Sequence, residues 1–260
     1  MWKGGNSLSR IAYLMEEMSW TEVRDALRDV QVAIIPIGSH EQHGPYLAET
    51  CDTVLAQRFA GLVGKRMFPQ VVVTPSVSFG VSFHHMTFPG TISFMPETLT
   101  CVLRDIVRSL THSGIRKYLF LNGHGGNNAT INAAAVSIGQ ELGVQIADIE
   151  FIQLAPQSAK KVASATYGHS CELEVSEALY LAPEIVKKEL LTTGECRGLP
   201  YANTTQSIPK GPINVLYTFD QITANGGKGN ALLATREFGK EIVDEALEKL
   251  IQFLQDFIKQ

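Results

Sequence analysis

Four short, nearly uninterrupted apolar runs most constrain the fold: Val32-Ala33-Ile34-Ile35-Pro36-Ile37, Val71-Val72-Val73-Thr74-Pro75, Tyr118-Leu119-Phe120-Leu121 and Val144-Gln145-Ile146-Ala147-Asp148-Ile149. Each has the length of a strand. Successive strand side chains point to opposite faces, so a run apolar at nearly every position describes a strand covered on both sides. The intervening segments carry helical periodicity: Thr53 to Met67, Ala129 to Leu142, and Glu97 to Thr111 with Leu99, Val102, Leu103, Ile106, Val107 and Leu110 on one stripe. Gly114 and Gly143 stand where such helices stop. Alternating strands and helices predict an α/β fold, with a mostly parallel central sheet flanked by helices on both faces in a three-layer sandwich. Ligands of such sheets collect at the carboxyl ends of the strands.

The flanking segments complete the outline. Ser19-Trp20-Thr21-Glu22 reads as a capping box that opens a short helix ending near Asp29. Leu232 to Ile258 forms a closing helix, apolar at Ile242, Ala246, Leu250, Leu254 and Phe257. Between them, Thr192 to Asn230 is rich in Gly, Pro, Asn and Thr, including Gly198, Pro200, Pro209, Gly211, Pro212, Gly226, Gly227 and Gly229, and reads as a long ordered loop. A chain of 260 residues can bury its core as one domain, expected over 1–260.

Composition narrows the partners. A formal net charge of −4 with 18% charged residues does not suit a polyanion, so nucleic acid is not expected. Cys51, Cys101, Cys171 and Cys196 are widely separated and form no C-x-x-C pair, which fits reduced thiols in a cytoplasm. The opening Met1 to Ser7 lacks an apolar core, and no apolar run approaches the roughly 20 residues that span a bilayer. Neither secretion nor membrane attachment is expected.

Three polar clusters lie near element ends. Gly38-Ser39-His40-Glu41-Gln42-His43-Gly44, followed by Asp52, comes after the first strand. Glu41 and His43 are two apart and point the same way in an extended segment, and the Gly-Pro turn lets Asp52 fold back towards them. Asn122-Gly123-His124-Gly125-Gly126-Asn127-Asn128 presents His124 at a glycine-rich strand-to-helix turn. Gly168-His169-Ser170-Cys171-Glu172-Leu173-Glu174 leads into a helix marked by Val175, Ala178 and Leu179. Carboxylates with imidazoles form the ligand set of Zn²⁺, Mn²⁺ or Fe²⁺, whereas Ca²⁺ prefers oxygen alone. A fourth stretch, His84, His85, Thr87, Phe88, Pro89 and Gly90, could wall a substrate pocket or form a surface loop pinned by Phe88.

Each cluster has a plainer reading. Glu41 and His43 could be solvated loop residues. Glu172 and Glu174 could merely complement a helix dipole. Gly123-x-Gly125 with Asp148 at the next strand end partly fits a dinucleotide fingerprint, and thus an NAD or flavin enzyme, but Asn128 occupies the place of the third glycine. No G-x-S-x-G elbow or phosphate-binding P-loop is present, and Gly227-Lys228-Gly229 is too short to be one. Cys51 and Cys171 lack a recognisable activating base. Co-occurrence of the clusters favours metal-dependent hydrolysis.

Together these segments resemble the creatininase (creatinine amidohydrolase) family: G-x-x-E-Q-H-G…D at Gly38 to Asp52, F-P-G-T at Phe88 to Thr91, N-G-H-G-G-N at Asn122 to Asn127, H-x-x-E-x-E at His169 to Glu174, and A-T-x-E-x-G at Ala234 to Gly239. The resemblance implies an amidohydrolase with two divalent ions (Zn, Mn or Fe), Asp52 bridging them, Glu41 and His124 on one ion, and His43 with a glutamate on the other. In creatinine-hydrolysing members that glutamate lies two residues after the turn histidine, where this chain has Gly126, so the role is assigned to Glu172, with Glu174 supporting it. Metal-activated water then attacks a carbonyl, and His169 acts as general acid on the leaving nitrogen. His84, His85, Phe88, Gly125, Gly126 and Asn127 are expected to wall the pocket. The pocket tryptophans of creatinine-hydrolysing members have no counterpart, because the only tryptophans are Trp2 and Trp20, so creatinine itself is not the expected substrate. The resemblance implies a small-molecule substrate and a homo-oligomer such as a hexamer. A member that kept the site and lost turnover is the non-catalytic alternative.

Overall fold

Alternation along the strands builds two cores on one sheet. A computed structural model describes residues 11–164, 167–197, 199 and 215–260. Its strands are β1 (Tyr13–Leu14), β2 (Val32–Ile37), β3 (Val71–Val73), β4 (Lys117–Asn122) and β5 (Gln145–Glu150), all parallel, in the order β1-β3-β2-β4-β5. Val32 and Ile34 of β2, with Leu119 and Leu121 of β4, face one core. Ala33, Ile35 and Ile37, with Tyr118 and Phe120, face the other. The continuous apolar runs have the cause expected of them: both faces are covered.

The helices are α1 (Trp20–Ala26), α2 (Cys51–Arg66), α3 (Pro96–His112), α4 (Asn128–Leu142), α5 (Pro156–Val162), α6 (Glu172–Leu181), α7 (Phe219–Ile222) and α8 (Arg236–Lys259). Apolar stripes of α2, α6 and α8 pack on the first face, and those of α3 and α4 on the second, which makes the three-layer sandwich. Truncating a central residue such as Phe120 to Ala would cost about 3–5 kcal/mol through lost burial and an unfilled cavity. Gly143 stops α4 in a left-handed conformation at φ +63°, where a Cβ would be strained.

The topology also fixes where a site can form. From β2 the chain crosses to β3 on one side, and from β4 to β5 on the other, so the carboxyl ends of β2 and β4 open onto a crevice between diverging connections. These strands stay in register to their last residues, with Ile37 opposite Asn122. The first two polar clusters therefore emerge side by side. The third arrives by another route, through α5 and the turn before α6, rather than directly from a strand.

Some boundaries differ from expectation. Ser19 caps α1 with a full capping box, yet the helix ends at Ala26. The closing helix begins at Arg236, because Ala231–Leu233 forms a separate 3-10 turn and the Thr235 hydroxyl accepts the Phe238 N–H at 3.1 Å. In the glycine-rich loop, Thr193 bridges to Asn230 and Cys196 to Thr223, while Gly198, Pro200, Pro209, Gly211 and Pro212 lie outside the described residues, as does Trp2. Among the described residues no helix is long and apolar enough to cross a membrane. All four cysteines are free.

Candidate metal centre

Close backbone packing brings the strand-end clusters together. A Cβ on Gly123 would lie 2.5 Å from the Asp52 carbonyl oxygen, and one on Gly38 would lie 2.3 Å from Thr53, so glycine at both positions lets the two strand ends press against the start of α2. Asn122 fixes the turn that follows, accepting the His124 N–H on Oδ1 at 3.1 Å and donating from Nδ2 to the His124 carbonyl at 2.6 Å. Asn127, expected in the pocket wall, instead holds backbone: it accepts from Val81 N at 2.8 Å and donates to the Gly38 carbonyl at 3.0 Å.

Asp52 stands at the centre. Its Oδ1 lies 3.0 Å from His43 Nε2, and its Oδ2 lies 3.2 Å from His124 Nδ1. Glu41 lies alongside, with Oε2 3.2 Å from His124 Nε2 and Oε1 3.2 Å from His85 Nε2. His43 Nδ1 donates to the Glu41 carbonyl at 3.0 Å, which leaves Nε2 facing Asp52 and Glu174, 3.4 Å from Glu174 Oε1. Fixing one ring nitrogen by a backbone carbonyl is how ligating histidines are oriented. Ligating atoms of Glu41, His43 and His169, of Glu41, His84 and His124, and of His43, Cys51 and Glu174 lie within 4.8 Å of one another in each set.

Two oxygens test whether this donor set suits cations. Glu41 Oε1 and Asp52 Oδ2 are buried, and although histidine nitrogens approach them, neither has hydrogen-bond geometry to any donor. Buried carboxylate oxygens without donors are costly unless a cation completes them. Glu41, His43, Asp52, His124 and Glu174 thus form a mixed oxygen and nitrogen donor set that fits divalent transition metals.

The two glutamates of the third cluster exchange their expected places. Glu172 does not reach the cluster: it accepts the Ser164 N–H on Oε1 and the Asn230 N–H on Oε2, the latter at 2.7 Å. Glu174 faces His43 and the cavity, and its Oε2 accepts from Ser170 N at 2.5 Å. The cause is Ser170, whose φ of +50° is left-handed for a non-glycine residue and turns the chain sharply before α6. Its hydroxyl donates to the His43 carbonyl at 2.6 Å, and its carbonyl accepts from Tyr46 OH at 2.7 Å, so the turn is held from both sides. Gly126 cannot be replaced by a glutamate ligand here, because even a Cβ would lie 2.4 Å from His124 Nε2 and 2.6 Å from the Val81 carbonyl oxygen.

A cavity of about 540 Å³ opens over the cluster, lined by Asp52, His84, His85, His124, Gly125, Gly126, His169 and Glu174 among others. Phe88 is not among its lining residues; Phe219 from α7 is, stacked on His85 with centroids 4.1 Å apart. Gln42 organises the far histidines. Its side-chain amide nitrogen lies 2.9 Å from His85 Nδ1 and 3.1 Å from the Gly226 carbonyl, while its backbone carbonyl accepts from His169 Nε2 at 2.8 Å. A donated amide proton fixes Nδ1 of His85 as the acceptor, and the carbonyl fixes the His169 proton on Nε2. Nδ1 of His169 is left facing Glu41 Oε1, 3.7 Å away.

Burial and charge divide the protonation states. For Glu41, burial dominates and pushes the carboxyl up to about 7. Burial opposes charge on His43 and His124, yet Asp52 and Glu174 hold His43 well above its usual value, and Glu41 with Asp52 raise His124 to about 9. Burial also opposes ionisation of Asp52, but His43 and His124 keep its carboxyl below the usual range. Burial, reinforced by neighbouring imidazoles, pulls His85 and His169 down, so both are neutral. Burial pushes the Cys51 thiol well up and the Cys171 thiol up to about 12, which removes a thiolate nucleophile. Asp148 is engaged by Asn132 and Gly123 serves close packing, so the dinucleotide reading loses its parts.

Several contributors carry no motif. Ser82 donates to Glu41 Oε2 at 2.5 Å, and Phe219 arrives from far along the chain. Gln42, within the first cluster, was the one with a signal: its neighbours at both sides point into the site.

Known proteins agree with this fold. The creatininase family pattern, described as creatinine amidohydrolase, matches residues 16–254. A mycofactocin precursor peptide peptidase of Mycobacterium ulcerans (strain Agy99) is 30% identical over 236 residues, covering 85% of this chain and 84% of that protein. A 3-dehydro-scyllo-inosose hydrolase of Thermotoga maritima is 27% identical over 267 residues, covering 94% and 83%. A solved structure described as a creatinine amidohydrolase from Bacteroides fragilis NCTC 9343 superposes with a TM-score of 0.83 at 26% identity, over 96% of this chain and 98% of that one. Sequence pattern, fold and relatives coincide, and the chain belongs to the creatininase family of amidohydrolases.

Proposed function

We propose that residues 1–260 form a single creatininase-like hydrolase domain that binds two divalent cations, Zn, Mn or Fe, and hydrolyses a C–N bond in a small cyclic amide, formamide or related compound. The observation that carries this reading is the Asp52 carboxylate, with one oxygen on His43 and the other on His124, two histidines from different strand ends. Glu41 and His124 would hold one ion with Asp52, and His43 and Glu174 the other. Solved creatininase structures that include a manganese form and a Zn–Zn form support the choice of ions. When bound, such cations lower the pKa of water and polarise a carbonyl.

The remaining steps belong to the chain. His169, neutral and with Nδ1 directed into the site, takes a proton at that atom and delivers it to the leaving nitrogen, with Gln42 holding the opposite nitrogen protonated. Phe219 covers the His85 and His169 rings and limits water around them. The relatives are named for different substrates, a precursor peptide and a 3-dehydro-scyllo-inosose, which supports a hydrolytic site whose substrate need not be creatinine. Reduced cysteines suit a cytoplasmic protein, and assembly with copies of itself is proposed from the family resemblance.

The test is hydrolysis of a panel of cyclic ureides, lactams, formamides and short peptides by metal-stripped and by Mn- or Zn-reloaded protein. Turnover confined to reloaded protein, and lost in His43→Ala, is expected. Metal binding without turnover across the panel would favour a non-catalytic member. A thermal shift with NAD or flavin but none with metal would favour the nucleotide reading.

A further inference from the structure

We propose that Cys51 supplies a thiolate ligand to the ion held by His43 and Glu174, which gives that seat a mixed sulfur, nitrogen and oxygen donor set and selects zinc for it. The inference rests on the metal-centre reading above and names the ion that one of its two seats takes.

Cys51 opens α2, one residue before Asp52, so the turn that delivers the shared carboxylate delivers the sulfur as well. Its N–H is fixed to the Ala48 carbonyl at 3.0 Å, and the residue is fully buried. Its Sγ, a nitrogen of His43 and a carboxylate oxygen of Glu174 lie within 4.8 Å of one another. These three donors come from the loop after β2, from α2 and from α6, so the fold rather than local sequence brings them together. Their spacing suits an ion. Zinc bonds of about 2.3 Å to sulfur and about 2.0–2.2 Å to nitrogen and oxygen place tetrahedral ligand atoms roughly 3.3–3.6 Å apart. His43 Nε2 and Glu174 Oε1 are 3.4 Å apart. With Asp52 Oδ1, 3.0 Å from the same His43 nitrogen, Cys51 makes the fourth donor.

The sulfur has no competing duty. Cys51 is in no disulfide, and among the described residues its Sγ takes part in no hydrogen bond. Its neighbours are already oriented, His43 through Nδ1 on the Glu41 carbonyl and Glu174 through Oε2 on the Ser170 N–H. Glu174 lines the cavity and Cys51 does not, so the sulfur would close the buried side of the ion. Cys171, equally buried, and the exposed Cys101 and Cys196 join no such donor set among the described residues. The plainer role for Cys51 is that of a small apolar filler beside Leu55 and Phe59. A filler makes no demand on its neighbours, whereas here they are an imidazole nitrogen and a carboxylate oxygen. Without a cation, burial keeps Cys51 a thiol. A coordinated sulfur is a thiolate, its proton passing to solvent as the bond forms. Thiolate favours zinc over manganese, and the seat of Glu41, His124 and Asp52, built of oxygen and nitrogen alone, lacks that bias.

Cobalt provides the test, because a cobalt–thiolate bond has an intense charge-transfer band in the near ultraviolet that oxygen and nitrogen ligands do not produce. Metal-stripped parent protein, Cys51→Ser, Cys51→Ala and Cys171→Ser are titrated with Co²⁺. The band should appear in the parent and in Cys171→Ser and be absent from both Cys51 variants, which still bind cobalt. Cys51→Ser should also weaken zinc by about a hundredfold, and manganese by much less. X-ray absorption of the zinc-loaded parent, which needs no variant, should show sulfur at about 2.3 Å from zinc. Zinc surrounded by nitrogen and oxygen alone overturns the inference, as does a band that survives in Cys51→Ser or vanishes in Cys171→Ser. If two ions bind without sulfur, the metal reading survives that failure. If neither cobalt nor zinc binds, both readings fall.

Discussion

The strand-end segments and the segment entering α6 deliver side chains to one place by different means. Glu41, His43 and His124 leave β2 and β4, whose hydrogen-bonded register fixes them before any side chain acts. Glu174 and His169 depend on a strained turn at Ser170, on Tyr46 and Glu172 binding backbone around it, and on the loop through Lys228. The sheet thus supplies a rigid half and the α6 entry an assembled half, built from side-chain to backbone bonds. Variation in the second half can alter substrate without dismantling the first.

The largest expected effect falls on the rigid half. Asp52→Ala removes the group shared by both proposed ions and should lower turnover by about a thousandfold or more, the scale of several kcal/mol of lost charge stabilisation, with most of the bound metal lost in elemental analysis. A variant that keeps its metal and its rate would break the bridging role.

The sharpest contrast within the assembled half is between neighbouring glutamates. Glu174→Gln should reduce metal content and cut activity by about a hundredfold or more while leaving thermal stability close to the parent's. Glu172→Gln should do the reverse, retaining metal but losing about 1–3 kcal/mol of stability as the N–H groups of Ser164 and Asn230 lose their shared acceptor. Denaturant melts and metal analysis on both variants decide the matter, and the opposite pattern would return the ligand role to Glu172. Between the halves, Gln42→Leu should cost about 10- to 100-fold in activity by releasing the tautomer of His85, while the backbone carbonyl of residue 42 still holds His169 Nε2, with metal content unchanged.

The smallest effect is one of linkage. In the metal-free protein Glu41, His43 and His124 all have raised pKa values, His124 to about 9 and Glu41 to about 7. Groups of this kind stabilise the fold fully below their unfolded values, and that contribution is lost as pH rises through the folded ones. Bound metal requires the same groups deprotonated, so its affinity rises with pH until about 9. The gap between metal-loaded and metal-free Tm should widen from pH 6 to 9, and a gap that is flat or narrows would contradict the assignment.

Much of this was legible in the chain. The apolar runs set the sheet, and E-x-H with Asp52 and the His124 turn marked the rigid half, because strand-end residues follow directly from strand periodicity. Glu172 and Glu174 could not be distinguished that way. Two positions apart on a helix they lie about 200° around the axis from each other, and which one faces inward depends on the turn at Ser170. The β1 strand has two residues and α5 only seven, too short for a period to register. Ser82 and Phe219 enter through tertiary contacts alone.

Anomalous diffraction from Mn-loaded crystals measures the central claim directly. Two peaks on opposite sides of the Asp52 carboxylate are expected, one contacted by Glu41 and His124 and the other by His43 and Glu174, with Glu172 touching neither. A single peak away from Asp52, no peak at all, or density joining an ion to Glu172 would contradict the account.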